Sequence, residues 1–329
     1  MKITLIKQGG AQYDITNAVT KVEWSGSASQ AARQLSIDYI NAPFDNFKLP
    51  AISTGDFVSF TPDKEEVFYG QFFGTEKSSA VGTITFTAYD FMKNLLESNG
   101  QYNFKNVTAE AIAQQVCADA QIPVRFVYPT GINIASMLCD DMSLYDIIMA
   151  AYTKVHRITG EKFFAMVYKR GFAVYRTDWI VSNFVLDDSS NLMSADITET
   201  MDQIVNKVKV YDEKGAQIGE VSDAGSLGMF GTFQKIYRQE EGVDPQTAAT
   251  NMLNVKPSQT LKVSGVGDAN CLSCYFVQVK DASTGLSGRY WISSDTHTWE
   301  AGAYTMDLDL EFDSLMTEVE LSPEEEKKK

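Results

Sequence analysis

Residues Met306 to Asp313 alternate without a break, with Met306, Leu308, Leu310 and Phe312 on one side and Asp307, Asp309, Glu311 and Asp313 on the other. A period of two is that of an extended chain, so this segment is a strand with one dry face and one acidic face. The run before it, Tyr290 to Trp299, is rich in aromatic and β-branched residues, and Glu300, Ala301 and Gly302 separate the two in the manner of a hairpin loop. A long hairpin with a dry face must bury that face, so this end of the chain is expected to close a β-barrel or sandwich.

The rest of the chain is organised around similar signals. Over 1–99, Lys2 to Lys7, Ala18 to Ser25, Gln34 to Ile40, Gly55 to Thr61, Glu66 to Glu76 and Gly82 to Tyr89 read as six strands of a compact antiparallel barrel, followed by a helical stretch from Asp90 to Ser98. Over 100–190 the period changes. Thr108 caps a helix carrying Ile112, Ala113, Val116 and Ala120 on one face, with Glu110 favoured in its first turn. Ser143, with Asp146 three residues on, opens a second helix that turns Leu144, Ile147, Ile148, Ala151 and Val155 inward. A hairpin of Lys162 to Lys169 and Phe172 to Asp178 completes a small α+β domain.

Over 191–317 the β pattern returns, with Ile204 to Asp212 and Ala216 to Val221 paired, then Thr260 to Val266, Cys271 to Asp281, Gly288 to Trp299 and Tyr304 to Asp313. An insertion at 222–257 holds the glycine-rich stretch Ser222 to Phe233, expected to be a mobile loop, and a short helix from Pro245 with Asp244 as its cap. The charged tail, 318–329, has no core face and is expected to be disordered. The fold class is α+β, mainly β, with two antiparallel β-barrels flanking a small α+β domain. The hairpin from Phe68 to Asp90 patterns like that from Arg289 to Asp313, so one barrel is read as a duplicate of the other.

Charge and chemistry exclude several functions. Lysine and arginine total 28 against 43 acidic residues, a formal charge of −15, which argues against a duplex-DNA binder held by phosphate contacts. The opening M-K-I-T-L-I-K-Q-G-G lacks the apolar stretch of a signal peptide, and no run approaches the roughly 20 apolar residues of a spanning helix, so neither export nor membrane insertion is expected. C-L-S-C at Cys271 to Cys274 sits in a strand, where positions i and i+3 face opposite ways, so these cysteines, with Cys117 and Cys139, are packing residues and no metal or redox site.

Ser293, Asp295 and His297 share a strand face, but same-strand neighbours stand about 7 Å apart, too far for a nucleophile-to-base hydrogen bond. His297 is read as a structural histidine and His156 as a charge near a helix C-terminus. The acidic stripe lacks the looped geometry of a calcium site. G-V-G-D at Gly265 to Asp268 leads to no helix and is a turn. No catalytic residue, cofactor site or metal site is assigned, and the chain is read as no enzyme.

The segment Y-W-I-S-S-D-T-H-T-W-E-A-G-A-Y-T-M-D-L-D-L-E-F resembles the closing hairpin of the XkdQ/YqbQ-type baseplate hub proteins of contractile phage tails, defective prophages and R-type bacteriocins of Gram-positive bacteria. T-A-E-A-I-A-Q-Q-V-C-A-D-A-Q-I-P-V and S-L-Y-D-I-I-M-A-A-Y are similar to that family's two-helix middle region, and length and domain order match over nearly the whole chain. The resemblance implies tube-protein-like barrels, two per subunit, in a homotrimer whose six barrels adapt a sixfold tail tube to a threefold central spike. Its implied partners are itself, the tail tube protein, the central spike protein and baseplate wedge or LysM-containing tail proteins. The implied place is the tail baseplate of a virion or bacteriocin particle, assembled in the host cytoplasm.

On that reading Asp307, Asp309 and Glu311 are candidates to face the central channel, where negative charge keeps passing DNA from adhering. Two rivals remain open: a peptidoglycan-binding, LysM-like tail protein, suggested by the strand-helix pattern over Thr108 to Val127, and a tail-associated cell-wall hydrolase, which would need a nucleophile, metal or carboxylate pair.

Overall fold

The computed structural model describes residues 1–41, 48–78, 82–177, 184–239 and 244–321. By compactness the chain divides into two units, Met1–Ala195 with Lys262–Lys329, and Asp196–Leu261.

In the larger unit the first strands are β1 (Lys2–Ile6), β2 (Gln12–Asp14), β3 (Val19–Ser27), β4 (Gln30–Ile40), β5 (Phe57–Thr61), β6 (Phe68–Lys77) and β7 (Thr83–Tyr89), the expected six with β2 added. Alternation puts Ile3, Leu5, Val22, Leu35, Ile37, Phe60, Phe72 and Phe86 into one core. There follow α1 (Met92–Glu97), β8 (Asn99–Thr108), α2 (Ala109–Asp119), β9 (Val124–Val127), β10 (Asn133–Ser143), α3 (Leu144–Thr159), β11 (Phe163–Tyr168) and β12 (Gly171–Arg176). Both expected caps are made: Thr108 Oγ1 accepts from the Ala111 N–H at 3.4 Å and Ser143 Oγ from the Asp146 N–H at 2.9 Å. Gly160, with φ of 75°, ends α3 by donating its N–H to the His156 carbonyl at 2.7 Å.

Helix α3 is buried nearly all round. Besides the expected stripe it hides Tyr145, Met149 and Tyr152, each such side chain contributing about 1.5–3 kcal/mol of transfer free energy. The hairpin β11–β12 explains how: Phe163 and Ala165 face α3, while Phe164 and Met166, on the other side of β11, enter the core of the first β region. A strand buried on both faces must read F-F-A-M-V-Y rather than alternate. The pairings β8–β10, antiparallel, and β9–β12, parallel, lay outside the sequence expectation.

After β13 (Val185–Asp187) and β14 (Leu192–Thr200) comes the smaller unit, built on β15 (Lys207–Tyr211), β16 (Gln217–Ser222), α4 (Ala224–Phe230), β17 (Gln234–Arg238) and α5 (Pro245–Asn251). Its sheet runs β16-β15-β17, and Val208, Val210 and Ala249 form its core. The glycine-rich stretch expected to be a mobile loop contains a helix instead. Asp223 caps α4 by accepting from the Ser226 N–H at 2.7 Å, and the buried Asn206 ties its end down, donating to the Gly231 carbonyl at 2.7 Å and accepting from the Phe233 N–H at 2.8 Å. Asp244 caps α5 as expected.

The last strands are β18 (Ser258–Val266), β19 (Phe276–Asp281), β20 (Leu286–Glu300) and β21 (Ala303–Glu311). The mainly β, α+β reading holds, and the pairing runs as one open sheet in the order β14-β18-β21-β20-β3-β4-β7-β6-β5-β1-β2, with β19 also on β20 and β13 on β19. Among the described residues no pairing closes either β region into a barrel. Strand β20 is the hinge of this arrangement: its first part, Leu286 to Trp291, pairs with β19, its later part, Ser294 to Glu300, with β3, and Trp291 to Glu300 with β21.

Strand β21 stops at Glu311, so Phe312, expected on the dry face, is 53% exposed and packs edge-on against Tyr290. Of the expected tail, 322–329 lies outside the described residues, while 318–321 is held in place. The Val319 N–H donates to Thr153 Oγ1 at 3.0 Å, and Met316, Val319 and Leu321 pack on the α3 core.

Gly70 tests the packing of the first region. A Cβ there would lie 2.2 Å from the Tyr89 carbonyl oxygen, a backbone atom that cannot swing aside, whereas one at Gly9 meets nothing within 4 Å. We expect Gly70→Ala to cost at least ~2 kcal/mol in denaturant unfolding and Gly9→Ala to stay within ~0.5 kcal/mol.

Candidate functional site

The motif D-T-H-T-W places Asp295, His297 and Trp299 on the inward face of β20, at its pairing with β3. Strand β4, one strand further, sends Arg33 inward beside Leu35 and Ile37. The guanidinium grips Asp295 through both amino groups, Nη1 to Oδ1 at 3.0 Å and Nη2 to Oδ2, and lies 4.1 Å from the centre of the Trp24 ring. The Ser273 N–H adds a third bond to Oδ1 at 2.6 Å. Burial alone would raise the Asp295 carboxyl, but the Arg33 charge and the His297 hydrogen bond outweigh it and hold the group well below the usual carboxylate range.

His297 is fully buried and satisfied. Its Nε2 faces two acceptors, the Cys271 carbonyl at 3.0 Å and Asp295 at 3.3 Å, so Nε2 carries the proton. Nδ1 then accepts from the Tyr304 hydroxyl at 2.9 Å, and burial pushes that phenol far up, keeping it a donor. Ser293, the third member of the apparent triad, instead donates to the Asp309 carbonyl at 3.1 Å. The arrangement is a structural lock. Cys271 and Cys274 are buried and free, and burial raises both thiols, Cys274 to about 12, which keeps them in the unreactive protonated form.

The candidate residues Asp307, Asp309 and Glu311 project from the opposite, open face of β21. Asp309 pairs with Lys262 at 3.2 Å and accepts from Ser294 Oγ at 2.7 Å, and Asp307 accepts from Ser264. Sequence reasoning took this stripe as one strand, but the register extends it. Asp307 lies opposite Thr296, Thr296 opposite Ser25, and Ser25 opposite Gln34; the next row runs Thr305, Thr298, Glu23, Ser36, Thr87; the next runs Glu300, Lys21, Asp38, Thr85, Glu76. Partners directly opposite share a face. The open side of the sheet is therefore a hydroxyl- and carboxylate-bearing surface six strands wide, continuous across the seam between the two β regions.

Sequence reasoning missed the Arg33–Asp295 pair and this continuity. A signal for the first was present: Arg33 and Asp295 each occupy the dry register of an alternating strand.

Three comparisons bear on this architecture. The YQBQ-like family model matches residues 22–311. YqbQ of Bacillus subtilis (strain 168) is 25% identical over 299 residues, covering 88% of this chain and 90% of that one, and the phage-like element PBSX protein XkdQ of the same organism is 24% identical over 300 residues, covering 88% and 91%. Among solved structures, the 43 kDa tail protein of prophage MuSo2 from Shewanella oneidensis superposes with a TM-score of 0.68 at 17% identity, over 94% of this chain and 96% of that one.

Two expectations test the lock. Arg33→Met leaves a buried carboxylate unpaired and is expected to cost ~3–5 kcal/mol, whereas Arg33→Met with Asp295→Leu recovers much of the loss; equal losses in chemical denaturation would refute the pairing. Asp90 is buried at the start of α1, accepting from the Met92 N–H at 3.0 Å and the Arg33 N–H at 3.3 Å, and burial pushes it up to about 7. A raised carboxyl favours the fold while protonated, so its support is complete below about pH 4 and lost as pH rises to about 7. The stability of wild type relative to Asp90→Asn is expected to fall across that window by on the order of 2–4 kcal/mol, read from melting curves at stepped pH.

Proposed function

The chain belongs to the YQBQ-like family, and from that premise we propose that it is a structural baseplate hub protein of a contractile tail, phage or phage tail-like bacteriocin. Three copies form a ring between the sixfold tail tube and the threefold central spike, each contributing two β regions, 1–99 and 191–317, joined through the α+β region 100–190. Cyclic closure by head-to-tail contact is the ordinary route to such a ring. The protein acts by shape and charge, without catalysis, and its partners are its own copies, tube, spike and neighbouring baseplate proteins.

One observation carries this reading: the polar sheet face crosses from one β region to the other without interruption. A surface lining an aqueous bore needs hydroxyls and carboxylates, few cations and no large apolar patch, because DNA phosphates are drawn to lysine and arginine and repelled by carboxylates. The mapped rows hold Asp307, Glu23, Glu300, Asp38 and Glu76 against Lys21, with Asp309 and Lys262 beside them. Asp307, Asp309 and Glu311 are the channel-facing residues of this proposal. The LysM-like rival fits less well, since β9 and β10 intervene between α2 and α3.

Replacing Asp307, Asp309 and Glu311 by lysine is expected to leave the mass of the hub–spike complex unchanged, with three copies of this chain by native mass spectrometry. In a DNA-carrying particle the same change lowers infectious titre at least tenfold. Undiminished titre would remove the channel role, and a complex without three copies would remove the ring.

A further inference from the structure

Two open sheet edges in this chain are opposite in charge. Among the described residues β14 ends the large sheet and β17 ends the three-stranded sheet. An open edge leaves backbone N–H and C=O groups able to pair with another chain. On β17 the phase of those groups is fixed by its parallel pairing with β15. The Lys207 N–H donates to the Phe233 carbonyl at 3.3 Å, and the Gln239 N–H to the Tyr211 carbonyl at 2.8 Å. Phe233, Lys235, Tyr237 and Gln239 therefore turn their backbone groups to β15, and Gln234, Ile236 and Arg238 turn theirs outward. The side chains of the two strands differ in sign. Between Val185 and Asn206 there is no lysine or arginine, and β14 carries Asp196 and Glu199. Between Ala224 and Gln239 there is no carboxylate, and β17 carries Lys235 and Arg238. All four are exposed, and each strand also exposes an isoleucine, Ile197 at 39% and Ile236 at 53%.

We propose that β17 of one copy pairs with β14 of a second copy, in a parallel alignment that sets Lys235 beside Asp196, Ile236 beside Ile197 and Arg238 beside Glu199. The inference rests on the hub reading and deepens it, since it assigns residues to one head-to-tail contact of the ring. The sequence pattern selects the alignment. K-I-Y-R at Lys235 to Arg238 matches D-I-T-E at Asp196 to Glu199 residue for residue, and neighbours across a strand pair share a face. The antiparallel alignment on the same isoleucines brings Lys235 to Thr198 and Arg238 to Ala195, so both charges miss. Glu199 has a carboxylate oxygen to spare, the other accepting from Gln259 Nε2 at 2.8 Å. Charge also selects the occupant. Two β14 strands would set carboxylate against carboxylate and two β17 strands cation against cation, so each edge rejects its own kind and accepts the other. A contact between two different patches of one chain is heterologous, the kind that closes a ring. Four residues a side are too few for a stable interface alone, so the contact acts within the assembled ring.

The test uses full chains carrying either Ile197→Cys or Ile236→Cys, mixed in equal amounts, assembled with the spike protein and treated with a short bismaleimide. The four native cysteines are buried and stay out of the reaction. The expected result is a covalent dimer on a denaturing gel from the mixture, at least tenfold above the yield from either chain alone. Adding Asp196→Lys and Glu199→Arg to the Ile197→Cys chain is expected to lower that yield at least tenfold. Adding Lys235→Asp and Arg238→Glu to the Ile236→Cys chain as well is expected to restore it. All of these positions are exposed, so the substitutions leave the fold intact. Three copies by native mass spectrometry without the mixed dimer would overturn the contact and leave the hub reading standing. The mixed dimer in an assembly of another copy number would support the contact and remove the ring, and loss of both would overturn both. Equal dimer from either chain alone, or no recovery when both sets of charges are exchanged, would also overturn the contact.

Discussion

The buried pair of Arg33 and Asp295 is the interaction on which the larger unit turns. A charge in a dry core is tolerated only when its partner is present with matching geometry, and here the two partners come from strands 262 residues apart in sequence. The pair therefore does more than hold: it specifies. A slip of one residue between β3 and β20 would move Asp295 to the open face and leave Arg33 unmatched among Leu35, Trp24 and His297. The satisfied histidine extends the same logic, because Nε2–H has acceptors only when the Cys271 carbonyl and Asp295 are both in register.

From that seam follows the two-sidedness of the sheet. Since β3 and β20 pair directly, the dry faces of both β regions continue into each other, and so, necessarily, do the wet faces. The polar surface is thus a consequence of how the core is locked rather than a separate device. Threonine suits it twice over, since it favours extended backbone and carries a hydroxyl outward, and serine adds further hydroxyls. The hairpin β11–β12 adds a second brace, inserting Phe164 and Met166 into the first core and Phe163 and Ala165 into the core around α3.

Much of this was legible from the residues. Strict alternation located β1, β3 to β7, β20 and β21, and Thr108, Ser143 and Asp244 marked three helix starts through chemistry that acts within four residues. What failed to show was either non-local or locally contradicted. The β8 strand, N-G-Q-Y-N-F-K-N-V-T, is exposed along much of one side and has little apolar signal; its pairing with β10 forms it. Glycines at 225 and 228 argued for a loop, and Asp223 with the Asn206 side chain overrode them. The candidate carboxylates were visible as a stripe on β21, but the rows beyond it depend on register across five more strands, which no single strand records.

A buried ion pair is a costly way to join two halves, since a well-packed apolar seam of the same volume is often as stable or more so. Its advantage is discrimination. The strands of this unit offer many alternating segments of similar length and composition, and Val, Ile, Leu and Phe faces are nearly interchangeable in what they will pack against. A chain built from two β regions of similar pattern needs one of them to meet the other at a single place and in a single register. One arginine and one aspartate in dry registers supply that choice, because every other pairing of β4, β3 and β20 buries a lone charge.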